Sequence, residues 1–332
     1  MTDWEHIFQR VLPPDATERE IVGSLARPRT CRFCLRTAPD ARFRSEAHVL
    51  PRGVGNRTLL SSEECDDCNQ AGSVVENDVV TVLSMARGIA MVRPREPTYK
   101  IRRSNRTASH VAVRPGVRKM DFIVPDLRDR DVRVRRTHDG FTVDVALPPF
   151  RPANIAKALA RMAWFVLPDD VRQNNDHIRR WIRGEERWPR PAVWLTDLQC
   201  KGTLSGPVFE VLRPRQHTGW TTPVLGVSLA LGRSAAIVYL PDRSWLLPEI
   251  PAKGMRIDAE EHALYKGLVH SLRVALPDVV VPRLTHEQVS QGAYFRYLRR
   301  PPDAGDPVND WLEAEQDLLW QQIGFEPSER PS

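Results

Sequence analysis

The sequence predicts an α+β fold, on three observations. Four of the five cysteines form two Cys-x-x-Cys pairs near the N-terminus, CRFC at 31–34 and CDDC at 65–68. From about residue 98 to 147, apolar and polar residues alternate around Gly, Pro and Asp, the pattern of half-buried strands. Other stretches repeat apolar side chains at helical spacing, as Val75, Val79, Val82 and Leu83 do in VVENDVVTVLSMARGI.

Taken in order, residues 1–26 read as a helical lead-in: a short amphipathic stretch, then ATEREIVGSLA, which predicts a helix. Residues 27–90 hold the cysteines. Within them FRSEAHVLPRGVGN alternates and then breaks at Pro51 and two glycines, which places His48 near the end of a strand and before a loop. CNQAGSVVEND begins a helix, so Asn69 and Glu76, at i and i+7, share one face.

Residues 91–200 read as strand-rich (HVAVRP, KMDFIVPD, DVRVRRTHDG, FTVDVALP) and then helical. Pro152 opens ANIAKALARMAWFVL, with Ile155, Leu159, Met162, Ala163 and Val166 on one side, and NDHIRRWIRGEE follows as a second helix. In 201–300, VFEVLRP, VLGVSLALG and SAAIVYLPDRSW predict a three-strand meander with helices after it, a candidate regulatory or recognition domain. The break RRPPDAGDP leads into 301–332, an acidic tail with one helix, NDWLEAEQDLLWQQIG.

A chain of 332 residues can bury its own core without disulfide staples. Few cysteines in x-two spacing, no long apolar run and no basic-then-apolar leader in MTDWEHIFQR lead us to expect a soluble cytoplasmic protein with no membrane partner. The net charge of +6 is unevenly spread: Lys100–Arg136 holds twelve Lys or Arg against four Asp, and Pro301–Ser332 eight acids against one Arg. A basic middle suits a polyanion partner, although 42 Arg against 6 Lys also fits a base-composition bias.

Thirty residues separate Cys34 from Cys65, so a loop closed by a metal can join the two hooks. Four thiolates suit tetrahedral Zn²⁺, and a site filled by sulfur is structural, with no position left for substrate. Redox dithiols are the rival reading, but no βαβ pattern accompanies the hooks. Cys200, alone, reads as an ordinary buried thiol. His110, His138, His177, His217, His262, His270 and His286 and the tryptophans Trp164, Trp181, Trp188 and Trp194 read as structural.

The arrangement Cys-x-x-Cys, an apolar-flanked His48 followed by x-x-Pro and a Gly turn, then Cys-x-x-Cys-Asn resembles the zinc-containing HNH endonucleases, the ββα-metal nucleases. The resemblance covers residues 31 to about 83 and is closest to a bacterial subgroup with a Gly-to-Glu signature in the helix. It implies a zinc-stabilised ββα-metal module followed by a mixed strand and helix region, with Cys31, Cys34, Cys65 and Cys68 on structural Zn²⁺. It implies His48 as general base, Asn69 in place of the motif's last His, and a catalytic Mg²⁺ or Mn²⁺, which oxygen donors favour.

This chain departs from the family at Ala47, where many members carry a metal-ligating Asp or His. Glu46, on the same strand face as His48, and Glu76 on the helix are substitute ligands. Asn56 best matches the middle Asn that orients the base. Arg42, Arg44, Arg52 and Arg57 are candidates for DNA phosphates, double-stranded DNA being the expected substrate. Family settings imply restriction or antiphage defence. Two alternatives stand beside this reading: a non-catalytic zinc-dependent nucleic-acid-binding protein, and a nuclease gated by a ligand or partner protein at the C-terminal half.

Overall fold

The computed structural model describes residues 4–13, 16–83, 86, 98–100, 110–113, 120–123, 132–137, 140–188, 191–197, 204–215, 224–232, 234–243, 255–258, 264–266, 269–275, 287, 289–291, 293–294 and 314. The chain divides into two compact units, one of Met1–Arg133 with Asp144–His270, the other of Val134–Val143 with Ser271–Ser332. The expected segments 27–90 and 91–200 therefore fall mainly within one unit. Cys200, most of the basic stretch 100–136 and all of the tail helix but Ala314 lie outside the described residues.

The first unit opens with strands β1 (Trp4–Val11), β2 (Glu20–Val22), β3 (Ala47–His48) and β4 (Leu59–Ser61), followed by helix α1 (Asp66–Val82). Strands β5 (Thr98–Lys100), β6 (His110–Val113) and β7 (Met120–Ile123) form an antiparallel sheet in that order. Next come β8 (Val132–Thr137) and β9 (Gly140–Ala146), then helices α2 (Pro152–Val166), α3 (Asp169–Asn174) and α4 (Asp176–Ile182). The remaining strands are β10 (Ala192–Asp197), β11 (Leu204–Pro214), β12 (Leu225–Gly232), β13 (Ser234–Leu240), β14 (Met255–Asp258) and β15 (Val269–Ala275).

The expected meander β11-β12-β13 forms, and it is the middle of a six-stranded antiparallel sheet ordered β1-β11-β12-β13-β10-β14. The sheet β15-β9-β8 holds most of the second unit's described strand residues. Helix α2 packs against α1 and against β10, β12 and β13. Its sequence predicted one apolar side, yet twelve of its residues are buried, from Pro152 to Phe165. Small residues explain this: Ala153, Ala156, Ala158, Ala160 and Ala163 let neighbours approach from every direction, and a helix apolar all round is an interior helix.

The helix expected in ATEREIVGSLA is instead strand β2, which pairs in parallel with β4, Ile21 opposite Leu60. Adjacent β-branched Ile21 and Val22 favour strand, and Gly23 at φ +97° ends it in a conformation that L side chains rarely adopt. The 1–26 lead-in is thus strand, not helix. Strand β3 pairs antiparallel with β4 on its other side, His48 opposite Leu60, which gives a sheet ordered β2-β4-β3 with α1 following. Among the described residues no helix is long and apolar enough to cross a membrane.

Candidate active site and metal centre

Each cysteine pair sits where the backbone turns. Cys31 opens a turn closed by the Leu35 N–H on the Cys31 carbonyl at 2.9 Å, and Leu35 takes a left-handed φ of 59°. Cys65 is the residue that precedes α1, and Cys68 lies in its first turn. The four sulfurs lie within 4.8 Å of one another, with Cys34 Sγ and Cys65 Sγ 3.7 Å apart. A tetrahedron of Zn–S bonds of about 2.3 Å has edges of about 3.8 Å, so the donor set fits zinc.

Without a cation the four thiols share charge poorly. A hydrogen bond from Cys68 lowers the Cys31 thiol to about 4, whereas burial pushes Cys65 up to about 11. Arg183 Nη1 donates to Cys68 Sγ at 3.4 Å, and Arg36 hydrogen-bonds Cys34, so two cations flank the sulfurs. That surround suits an anionic four-thiolate centre.

The inner side of this module is joined to the later helices by buried polar contacts. Arg32 pairs with Glu63 and donates to the carbonyls of Trp164 and Phe165, while Trp164 Nε1 returns a bond to the Arg32 carbonyl at 3.2 Å. Arg179 Nη1 donates to the Phe33 carbonyl at 2.9 Å. Arg161 of α2 enters between α1 and the cysteines, pairs with Glu64 at 2.5 Å and with Glu76, and lies over the rings of Phe33 and Phe165. Gly72 is required there, because a Cβ would collide with that guanidinium. Burial raises Glu64 to about 7 against the opposing pull of Arg161.

This network corrects one expectation. Glu76, read as a metal ligand on the helix face, is instead held by Arg161 inside the module, and burial raises its pKa. Its sequence position alone could not distinguish the two, because Arg161 comes from 85 residues away.

His48 ends β3, an edge strand, and is half-buried. Both ring nitrogens are buried, and neither has a hydrogen-bond partner among the described residues. Burial lowers its pKa, Arg52 and Arg19 lower it further, and Glu46 opposes them. Ala47 points inward and is buried, so Glu46 and His48 share the outer face. Glu46 is exposed and ion-paired to Arg19.

Asn56 is a staple of the loop after His48. Its Nδ2 donates to the carbonyls of Leu50 (2.9 Å) and Leu59 (2.8 Å), and its Oδ1 accepts from the N–H groups of Thr58 (3.1 Å) and Leu59 (2.9 Å). Its amide is saturated by backbone and touches no reacting group, so Asn56 holds the loop's shape.

Asn69 lies in the first turns of α1. Val80, near the end of α1, packs on Gly53 in that loop. Arg42, Arg44, Arg52 and Arg57 are all exposed. The loop carrying Arg42 and Arg44 is tied to α1 by Asp66, whose carboxylate accepts from the N–H groups of Arg44 and Ser45. Among the described residues, the cysteines are the group of three or more His, Cys, Asp or Glu that converges as a metal site.

Sequence reading missed Arg161 and Arg19. The first had a faint signal, a charged residue inside an apolar helix, and the second had none. Residues 31–75 match the family model of the HNH endonucleases. No curated protein and no solved structure matches the chain.

Proposed function

We propose that this chain is a metal-dependent HNH-type endonuclease that hydrolyses phosphodiester bonds of double-stranded DNA, with His48 as general base. His48 itself carries the reading: it lies within the matched segment 31–75, on an edge strand beside Arg52, and its two ring nitrogens, though buried, have no hydrogen-bond partner among the described residues. His177, by contrast, has one ring nitrogen, Nε2, on the Pro241 carbonyl at 3.1 Å.

In the proposed reaction His48 takes a proton from the water that attacks phosphorus. Its depressed pKa keeps the ring neutral, the form that accepts. Arg52 beside it, with Arg42, Arg44 and Arg57 around it, holds phosphates by charge without reading bases. Glu46 and Asn69 are the oxygen donors suited to Mg²⁺ or Mn²⁺. Such a cation, when bound, stabilises charge on the phosphate and on the departing 3′ oxygen. Glu76 takes no part, being held by Arg161. Zinc at the four cysteines pins the strand and helix that carry these groups. Restriction or antiphage defence is the setting that family analogy offers.

One observation favours a second reading, a non-catalytic zinc-dependent nucleic-acid-binding protein: around His48 no three metal-ligating side chains converge among the described residues. Incubating the zinc-loaded protein with supercoiled plasmid and Mg²⁺ or Mn²⁺ separates the two. Nicking should require the cation, stop with EDTA, and slow by about 10²-fold to 10⁴-fold in His48→Ala. Nicking by that variant at the wild-type rate would remove His48 from the mechanism; plasmid binding with no nicking by wild type supports the binder.

A further inference from the structure

We propose that the cavity beside Phe43 is a subsite for one unpaired nucleotide of the bound nucleic acid, with its base against Phe43 and its phosphates on Arg27 and Arg29. The inference rests on the nucleic-acid substrate of the nuclease reading and adds a contact to it; Arg27 and Arg29 precede the matched segment 31–75. The cavity has a volume of about 390 Å³ and is lined by Arg27, Pro28, Arg29, Ala38, Ala41 and Phe43. Small-ligand clefts run from about 300 to 1,000 Å³, so its size suits one small group. Its walls are tied together by hydrogen bonds. The Ala38 N–H bonds the Arg29 carbonyl at 2.9 Å, the Thr30 and Thr37 hydroxyls meet at 3.0 Å, and Arg29 Nη1 donates to the Phe43 carbonyl at 3.5 Å. The Ala41 N–H bonds the Thr37 carbonyl at 3.1 Å, and the Asp66 N–H of α1 holds the Arg42 carbonyl at 2.8 Å.

The lining combines an aromatic ring with two cations and no acid. Phe43 is half-buried: it packs on the core and also lines the cavity, beside a buried Ala41. Every base has a π face, so an aromatic ring next to cations takes a nucleotide without reading its sequence. Residues 27–44 hold six arginines and one acid, Asp40. Arg32 is committed to Glu63 and Arg36 to Asp67. Arg27, Arg29, Arg42 and Arg44 form no ion pair among the described residues. The positive charge around the cavity is thus uncompensated, and a phosphate is the anion that guanidinium forks match best. A base stacked within a duplex presents no free face, so the nucleotide is an unpaired one, from a bulge or an overhang. Phe43 lies five residues before His48, at most about 18 Å of chain. The subsite is therefore within about five base steps of 3.4 Å from His48.

Fluorescence anisotropy on the zinc-loaded full chain, with no added divalent cation, tests the subsite apart from cleavage. A labelled single strand of about ten nucleotides should bind about tenfold more tightly than the same strand made abasic throughout. Phe43→Leu, which keeps the apolar packing, should lose that preference and leave the abasic strand unchanged, whereas Phe43→Trp should keep it. Arg27→Ala with Arg29→Ala should weaken both strands about tenfold and lower the salt slope by about 1.4. Zinc content equal to wild type checks that each variant is folded. Duplexes with an internal unpaired nucleotide or with a short overhang identify the source, as the one bound about tenfold more tightly than a fully paired duplex. Equal binding of the base-bearing and abasic strands by wild type, a fully paired duplex bound as tightly as the other two, or a preference that survives in Phe43→Leu overturns the subsite and leaves the nuclease standing. A Phe43-dependent preference in a protein that nicks no plasmid keeps the subsite and removes the nuclease.

Discussion

The two sides of the cysteine module treat charge in opposite ways. Toward α2 and α4, Arg32, Arg161 and Arg179 are buried, and each is tied to a carboxylate or a backbone carbonyl of another element. On the other side, Arg19, Arg52 and Glu46 stand exposed around His48, whose two ring nitrogens are buried without hydrogen-bond partners among the described residues. Burying a charge without a partner is expensive, so each inner arginine is paired across elements. The charges of the outer face are exposed, so their pairing is optional.

The largest effect should come from the metal. Cys31→Ser with Cys65→Ser should take elemental zinc from about one per chain to none and unfold the module, because structural zinc contributes about 10–16 kcal/mol to folding in small domains. Unchanged zinc content would place the ligands elsewhere. The inner side should respond next. Arg161→Met leaves Glu64 and Glu76 buried without their cation and should cost about 3–5 kcal/mol in denaturant unfolding. Replacing Glu64 and Glu76 by apolar residues in the same variant should recover much of that loss. If Arg161→Met unfolds like wild type, the inner network is not what holds α1 to α2.

The outer face should show itself in pH dependence with little change in stability. His48 titrates below its ordinary value of 6.5, so cleavage should hold through neutral pH and fall only as pH drops through that lowered value. Arg52→Ala removes one of the depressing charges and should move the acid limb upward. The sign for stability is the same: a histidine depressed in the folded state favours folding above about 6.5, and that contribution is lost as pH falls. A pH–rate profile that does not move in Arg52→Ala would separate the base from this face. The smallest effect lies at the first hook, where Leu35→Gly relieves a left-handed φ at an exposed position and should stabilise by about 0.5–1 kcal/mol, read as a rise in melting temperature.

Much of this organisation was legible in the residues. The two hooks and their convergence into one possible metal site follow from cysteine spacing, and the strand ending at His48 follows from alternation broken by Pro51 and glycine. The positions of α2 and of the β11-β12-β13 meander follow from periodicity. These are local signals, carried within a few turns of chain. The strand at β2 was misread as helix because three residues of parallel pairing with β4 outweigh a weak helical pattern, and the local mark of it, two β-branched residues at Ile21 and Val22, is short. Glu76 looked free because its partner lies far along the chain.

The sequence alone determined the metal chemistry and the candidate base, since four thiolates prefer zinc and an imidazole accepts protons near neutral pH wherever the chain puts them. Only the tertiary structure decided which carboxylate is structural and which is available. Glu64 and Glu76 are claimed by a buried arginine of α2, whereas Glu46 remains at the surface with Arg19. The physical reason is desolvation: whether a charged side chain must be paired depends on what packs over it, and that is set by segments distant in the chain.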